Sequence, residues 1–66
     1  MEMRKDIECD GRRVQVCVYG TKAAEAMAEL FRRNNGSVIF DHQKLNVCAA
    51  RVEKAYPATR IDVYDL

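Results

Sequence analysis

MRKDIECDGRRVQVCVY, residues 3–19, places Asp10-Gly11 between two runs in which apolar and polar side chains alternate. A type I′ turn needs positive φ at both central residues, and Asp-Gly is one of the pairs that tolerate it. Residues 3–19 therefore predict an N-terminal β-hairpin. The register that follows pairs Cys9 with Arg12, Glu8 with Arg13, Ile7 with Val14, Lys5 with Val16 and Met3 with Val18.

The two faces of this hairpin differ in chemistry, because side chains alternate along a strand. A slip of one residue would move three valines into water, so the register is well specified. We expect Glu8 and Arg13 on the polar face to form a cross-strand ion pair. The predicted core face carries Met3, Lys5, Ile7, Cys9, Val14, Val16 and Val18, and the polar face carries Arg4, Asp6, Glu8, Arg13, Gln15, Cys17 and Tyr19.

The length of 66 residues predicts a single domain, residues 1–66, and a composition of 48% hydrophobic and 32% charged residues is typical of a globular protein. No apolar run approaches the roughly 18 residues of a membrane helix, so we expect no membrane association. The charged start MEMRKD leads into no hydrophobic segment and predicts no signal peptide. A net charge of +1 does not indicate a strongly basic nucleic-acid binder.

The three cysteines occur at no metal-ligand spacing. Without a secretion signal, they predict reduced thiols in a cytoplasmic protein. Cys9 and Cys48 occupy apolar positions and should be small core residues. Cys17 falls on the polar hairpin face, so we expect it to be accessible and to react first with a thiol probe.

A first helix is predicted after Gly20, with Thr21 as its N-cap. Asn34-Asn35-Gly36 should end it with a left-handed residue. Glu29 and Arg33 are spaced to form an ion pair on its surface. The apolar residues that recur at helical spacing are Ala23, Ala24, Met27, Leu30 and Phe31.

The second half of the chain predicts a strand, a helix and a strand. Ser37–Phe40 is a short apolar run that is typical of a buried strand, and Asp41 can cap a helix that ends before Pro57. An alternative pairs Ser37–Phe40 with Leu45–Val52 as a second hairpin. Residues 60–66 alternate and predict a last strand. The predicted core face of the second helix is Leu45, Cys48, Ala49, Val52, Ala55 and Tyr56.

The predicted element order is therefore ββαβαβ. Each helix has a single apolar face, which predicts an α+β fold: a two-layer sandwich of a four-stranded mixed sheet with both helices on one side. The N-terminal hairpin belongs to that sheet. The order of the strands remains open at this point.

No group of residues predicts catalysis. The only histidine, His42, falls in the first turn of the second helix, and nothing local brings it to a nucleophile such as Cys17. The three glycines fall in separate turns, so there is no glycine-rich phosphate loop. We predict a chain without enzymatic activity, cofactor or metal site.

The uncovered face of the predicted sheet is the first candidate binding surface. It can be a solvated face with ordinary cross-strand pairs, a protein contact, or a platform for unpaired RNA bases or single strands. An alternative surface is a basic stripe on the second helix, where Lys44, Arg51 and Lys54 flank Val47. The candidate residues of the open face are Arg4, Arg13, Gln15, Tyr19, Arg60 and Tyr64.

These observations predict a small, non-catalytic, cytoplasmic module that binds a protein. By analogy of size alone, it would be a regulator or inhibitor of the viral or mobile-element type that acts on a host complex. One alternative is a nucleic-acid-binding domain that uses the open sheet face. The other is a structural homo-oligomer, such as a homodimer, since the last strand has few edge-protecting lysines or prolines.

Overall fold

The computed structural model describes residues 1–66, and its strands form one mixed sheet in the order β3-β1-β2-β4. β2 pairs antiparallel with β1 and with β4, and β3 runs parallel to β1. The predicted α+β class and element order are confirmed, and the strand order places β3 and β4 at the edges. The elements are β1 (Glu2–Cys9), β2 (Arg12–Tyr19), α1 (Ala23–Arg32), β3 (Ile39–Phe40), α2 (His42–Ala55) and β4 (Arg60–Asp65).

The N-terminal hairpin has the predicted turn and register. Asp10 has φ of 52° and Gly11 has φ of 79°, the left-handed pair that the turn requires. Ile7 lies opposite Val14, and the pairing continues without a bulge along both strands. The local chemistry of the turn was therefore sufficient to fix which hairpin residues share a face.

The core lies between one face of the sheet and both helices, as predicted. Val16 and Val18 of the central strand are fully buried, and so are Leu30 of α1 and Val52 of α2. These residues belong to a single cluster to which both helices contribute. The opposite face of the sheet is left without a covering layer.

The outer half of β1 is less buried than its pattern predicted. Met3 and Lys5 were assigned to the core face, yet both are exposed. The reason is that β3 pairs only with Glu8 and Cys9, so nothing flanks the first half of β1. The Lys5 ammonium lies 5.5 Å from the centre of the Phe31 ring and covers it from outside.

The predicted buried strand Ser37–Phe40 is shorter than expected. Only Ile39 and Phe40 are paired, and Phe40 alone is buried, whereas Val38 and Ile39 are exposed. Phe40 packs edge-on against Phe31 with ring centroids 5.9 Å apart. A single aromatic side chain therefore anchors this strand to the core.

Helix α1 departs from the prediction at its start. Thr21 is not the N-cap; that position is Lys22, which makes no side-chain capping bond. The buried stripe includes Ala26, while Ala24 is exposed. The i, i+3, i+7 series that begins at Ala23 faces the sheet, so the stripe is rotated from the one predicted.

Helix α2 confirms the helical interpretation of residues 42–55 and excludes the alternative hairpin. The Asp41 carboxylate accepts a hydrogen bond from the Lys44 backbone N–H at 2.7 Å, the predicted cap. Leu45, Cys48 and Val52 are buried. Ala55, in contrast, was assigned to the core face and is exposed, because it is the last residue of the helix.

Candidate functional site

The uncovered sheet face is formed by alternate residues of β1, β2 and β4. Cys17 of β2 lies at its centre, opposite Arg4 on one side and Asp62 on the other. All six candidate residues named from the sequence fall on this face. The face consists of Glu2, Arg4, Asp6, Glu8, Arg13, Gln15, Cys17, Tyr19, Arg60, Asp62 and Tyr64.

Four of these side chains form a connected group, which we call the tyrosine cluster: Tyr19, Arg60, Asp62 and Tyr64. The two phenol oxygens lie 3.5 Å apart. The Tyr64 hydroxyl donates to the Asp62 carboxylate at 3.3 Å, and the Arg60 guanidinium carbon lies 4.8 Å from the centre of the Tyr19 ring. Asp62 also forms an ion pair with Arg60 at 3.2 Å.

The two tyrosines reach each other across the sheet. Tyr19 lies opposite Arg60, whereas Tyr64 lies opposite Gln15, so on this face one cross-strand pair, Cys17–Asp62, lies between them. Their hydroxyl groups can meet only if both side chains lean over the Cys17–Asp62 pair between them. The contact between the hydroxyl groups therefore connects two tyrosines that belong to different strands.

Cys17 lies beneath this cluster, and our prediction that it is accessible is wrong. The side chain is 1% exposed, although it belongs to the uncovered face. Its thiol lies 3.7 Å from the Gln15 side-chain oxygen, and the Cys17–Asp62 pair lies between Tyr19 and Tyr64, whose phenols meet. Cys9 and Cys48 are buried as predicted, and all three cysteines are free thiols.

The contact between the phenols affects the ionisation of Tyr19. The hydrogen bond to Tyr64 raises the pKa of Tyr19 to about 12, with burial and the proximity of a second phenol acting in the same direction. Tyr19 therefore keeps its hydroxyl proton to a higher pH than an ordinary tyrosine, and the hydroxyl can donate or accept a hydrogen bond.

A second polar group lies at the other end of the face. Arg13 contacts the Asp6 carboxylate at 2.9 Å, and the Gln15 amide donates to the same carboxylate at 3.3 Å. The predicted pair of Arg13 with Glu8 is thus replaced by a diagonal one, since the long arginine side chain reaches the next carboxylate along β1. Arg4 pairs with Glu2.

These contacts decide the electrostatic character of the open face. Each of its three arginines contacts a carboxylate, and the face carries four carboxylates in all. The face is therefore slightly acidic overall, with its cations already engaged by neighbours on the sheet.

The basic stripe on α2 has the opposite character. Lys44, Arg51 and Lys54 are exposed, and none lies within 4.0 Å of a carboxylate oxygen. A surface groove of about 410 Å³ runs along this stripe, bordered by Val47 and by Arg33 of α1. Arg33 itself contacts Glu29 at 2.9 Å, the predicted pair.

Sequence reasoning missed a groove of about 340 Å³ at the tip of the hairpin, lined by Asp10, His42 and Val63 among others. The His42 backbone N–H donates to the Asp10 carboxylate at 3.2 Å. Parallel pairing of β1 with β3 brings these distant residues together, and no local pattern reveals such pairing.

The hairpin-tip groove has one thiol at its border. Cys9 borders it, and burial raises the pKa of the Cys9 thiol, whereas an activated thiolate needs a lowered one. Nowhere in the chain do three His, Cys, Asp or Glu side chains lie close enough together to hold a metal ion.

Comparison with protein-family models, curated proteins and solved structures finds no match for this chain. No helix of the structure is long and apolar enough to cross a membrane. The chemistry of the surfaces themselves is therefore the basis for a functional proposal.

Proposed function

We propose that this chain is a non-catalytic module that binds a protein partner through the tyrosine cluster. The observation that most supports this proposal is the ion pairing of the open face, where every arginine already contacts a carboxylate. A nucleic acid needs cations that are free to contact phosphates. A protein surface, which usually carries both signs of charge, suits a face of mixed charge.

The composition of the cluster points the same way. Tyrosine and arginine are enriched among the residues that contribute most to protein–protein binding. Arg60 stacks on Tyr19, and Tyr19 contacts Tyr64, so these side chains are already held in place in the free protein. Side chains that are ordered before binding lose less conformational entropy when the partner docks.

The wider role that we propose is regulation or inhibition of a larger complex, of the kind encoded by viruses and mobile elements. This part of the proposal rests on the small size and on the absence of a reactive group in the grooves. Three free and buried thiols are consistent with a reducing compartment such as the cytoplasm.

Substitution of the tyrosines tests the proposal. The partner would first be captured from cells of the source organism, identified and purified, and its affinity for the chain measured by calorimetry. Tyr19→Ala and Tyr64→Ala should each weaken binding by about 1 to 2 kcal/mol, the scale of a tyrosine that anchors an interface. Both variants should stay folded, because surface substitutions usually change stability by less than about 0.5 kcal/mol.

Lys54→Ala is the matched control, because it removes an exposed side chain on the opposite layer. It should leave the affinity unchanged, while Arg13→Ala on the open face should weaken it. If both tyrosine variants bind normally and Lys54→Ala does not, the tyrosine cluster is not the binding surface.

A second candidate function is supported by the basic stripe. Lys44, Arg51 and Lys54 are free to contact phosphates, unlike the arginines of the sheet. If the chain binds single-stranded RNA, this stripe is the surface that we expect to contact the backbone. The association constant of the chain for single-stranded RNA would then fall by about 0.7 logarithmic units per phosphate contact for each tenfold increase in salt. Its retention on immobilised RNA or heparin should decrease in the same direction. Flow-through at low salt would reject this candidate.

A further inference from the structure

The outer edge of β4 is one of the two long unpaired edges of the sheet, the other being the outer edge of β1. Antiparallel strands point alternate backbone groups toward and away from a given neighbour. The Leu66 N–H donates to the Arg13 carbonyl of β2 at 3.4 Å, so the backbone groups of the even-numbered residues face β2. Those of Ile61, Val63 and Asp65 therefore face outward.

One of these outward groups already has a partner. The Glu53 carboxylate of α2 reaches around the edge and accepts the Ile61 N–H at 2.8 Å. Val63 and Asp65 have no such cap, and β4 contains no lysine, proline or bulge that would discourage pairing. The free part of the edge is thus limited to the last residues of the strand.

The other exposed edge is protected. Beyond its short pairing with β3, the outer edge of β1 carries Lys5, whose side chain points to the core face. An inward-pointing charge at an edge is a common device against strand pairing. The two edges therefore differ: Lys5 lies midway along the free part of β1, whereas the only charge on the same face of β4 is that of its last residue, Asp65, which pairs with Arg12 at 3.3 Å.

We propose that β4 pairs antiparallel with β4 of a second copy of this chain, with Tyr64 opposite Tyr64 on a two-fold axis. In this register, Val63 of one copy forms a hydrogen-bonded pair with Asp65 of the other, and the reverse. Every free outward N–H then donates to a free outward carbonyl. Registers centred on Ile61 or Val63 would bring the second strand against the Glu53 cap, and a register centred on Asp62 would oppose two like charges.

The occupant is a second copy because the free edge is complementary to itself. The exposed Tyr64 meets Tyr64, and aromatic pairs directly across strands are favourable. A two-fold axis through Tyr64 stands perpendicular to the sheet, so both copies keep their helices on the same side. The result is one eight-stranded sheet with two tyrosine clusters side by side. This dimer does not depend on the proposed function.

Two substitutions that introduce opposite charges at Val63 test the register, because each Val63 would face Asp65 of the other copy. Val63 is 43% exposed and tolerates a polar side chain. Val63→Glu places like charges opposite one another twice per dimer and should raise the dissociation constant by about tenfold. Val63→Lys places opposite charges there and should leave the dimer intact or tighten it. Sedimentation equilibrium of the full chain over a wide concentration range measures both effects.

Val47→Glu is the matched control, because Val47 is also 43% exposed but lies on α2 away from this edge. It should not change the dissociation constant. A second measurement uses Tyr64→Cys in a chain that also carries Cys17→Ala, because loss of the Tyr64 ring is expected to expose Cys17. Residues that face each other across antiparallel strands lie close enough for a disulfide, and Cys9 and Cys48 are buried. Oxidation should therefore yield a covalent dimer through position 64.

Three results would overturn the proposal. A wild-type chain that stays monomeric at millimolar concentration has no such edge contact. A dimer that Val63→Glu and Val63→Lys weaken equally does not use this register. A dimer that neither substitution weakens or tightens, and that oxidation of the Tyr64→Cys chain does not link, is formed through another surface.

Discussion

The open sheet face and the basic stripe of α2 carry the same number of cations and differ in how those cations are paired. On the sheet, Arg4, Arg13 and Arg60 each contact a carboxylate. On the helix, the three cations contact none. A count of basic residues therefore says little about which surface attracts phosphate, because the carboxylates that the basic side chains contact decide it.

The largest expected effect comes from releasing the sheet arginines. Asp6→Asn and Asp62→Asn keep the shape of each side chain and remove the charge that engages Arg13 and Arg60. Together they should make the open face basic, so that the double variant elutes from heparin at higher salt than the wild type. The fold should persist, since exposed ion pairs contribute only about 0.2 to 1 kcal/mol each.

Glu25→Gln provides the control for this experiment. It removes one negative charge from α1, where Glu25 is exposed and forms no ion pair. If Glu25→Gln increases retention as much as Asp6→Asn does, net charge alone governs binding. The difference in pairing between the two surfaces would then have no functional meaning.

A smaller expected effect is on the rate at which the Cys17 thiol reacts. This rate shows whether the part of the sheet face around Cys17 is covered or exposed. The phenols of Tyr19 and Tyr64 meet across the Cys17–Asp62 pair, so we expect Tyr64→Ala to open access to the Cys17 thiol and to speed its reaction with a thiol probe in the folded state. In the wild type, Cys17 should react slowly. Mass spectrometry of the modified peptides measures the rate at each cysteine.

Lys44→Ala is the control, because Lys44 lies on the helical layer and should leave the rate at Cys17 unchanged. A wild-type chain in which Cys17 is modified as fast as a free thiol would contradict the covering contact. So would a Tyr64→Ala chain in which only Cys9 or Cys48 becomes more reactive.

The features of the fold that could be predicted from the sequence are those whose contacting residues lie close together along the chain. Asp10-Gly11 set the hairpin register because the turn and both strands are local, and Asp41 marked the start of α2 for the same reason. Alternation then assigned Cys17 to the polar face correctly. It could not reveal that Cys17 is buried there, because β4, which places Asp62 opposite Cys17 and Tyr64 beside it on the same face, lies 45 to 47 residues further along the chain.

The candidate site shows the same limit. The alternation of side chains along each strand was enough to predict which residues belong to the site. It did not predict their ion-pair and hydrogen-bond partners. Arg13 was expected to pair with its direct neighbour Glu8 and instead reaches Asp6. The role of Asp62 as the residue that joins Arg60 to Tyr64 follows only from the placement of β4 beside β2, a long-range pairing that leaves no local pattern.

The smallest expected effect is a change in the pKa of Tyr19. Its measurement tests whether the contact between the two phenols holds the tyrosine cluster together. The hydrogen bond to Tyr64 is the main cause that raises the pKa of Tyr19 to about 12. Tyr64→Phe keeps the ring and removes the hydroxyl, so the pKa of Tyr19 should fall toward the ordinary value of about 10. Ultraviolet absorbance of the phenolate measures the titration, with Tyr56→Phe as the control on the helical layer.

The same shift fixes how stability depends on pH. Because the folded pKa of Tyr19 is raised, the unfolded chain loses this proton first as the pH increases. The stabilising contribution is therefore fully present below about pH 10 and is lost as the pH rises toward 12. In Tyr64→Phe, this part of the alkaline loss of stability should disappear. If the titration of Tyr19 is unchanged in Tyr64→Phe, burial rather than the phenol contact holds its proton, and the two tyrosines do not act as one group.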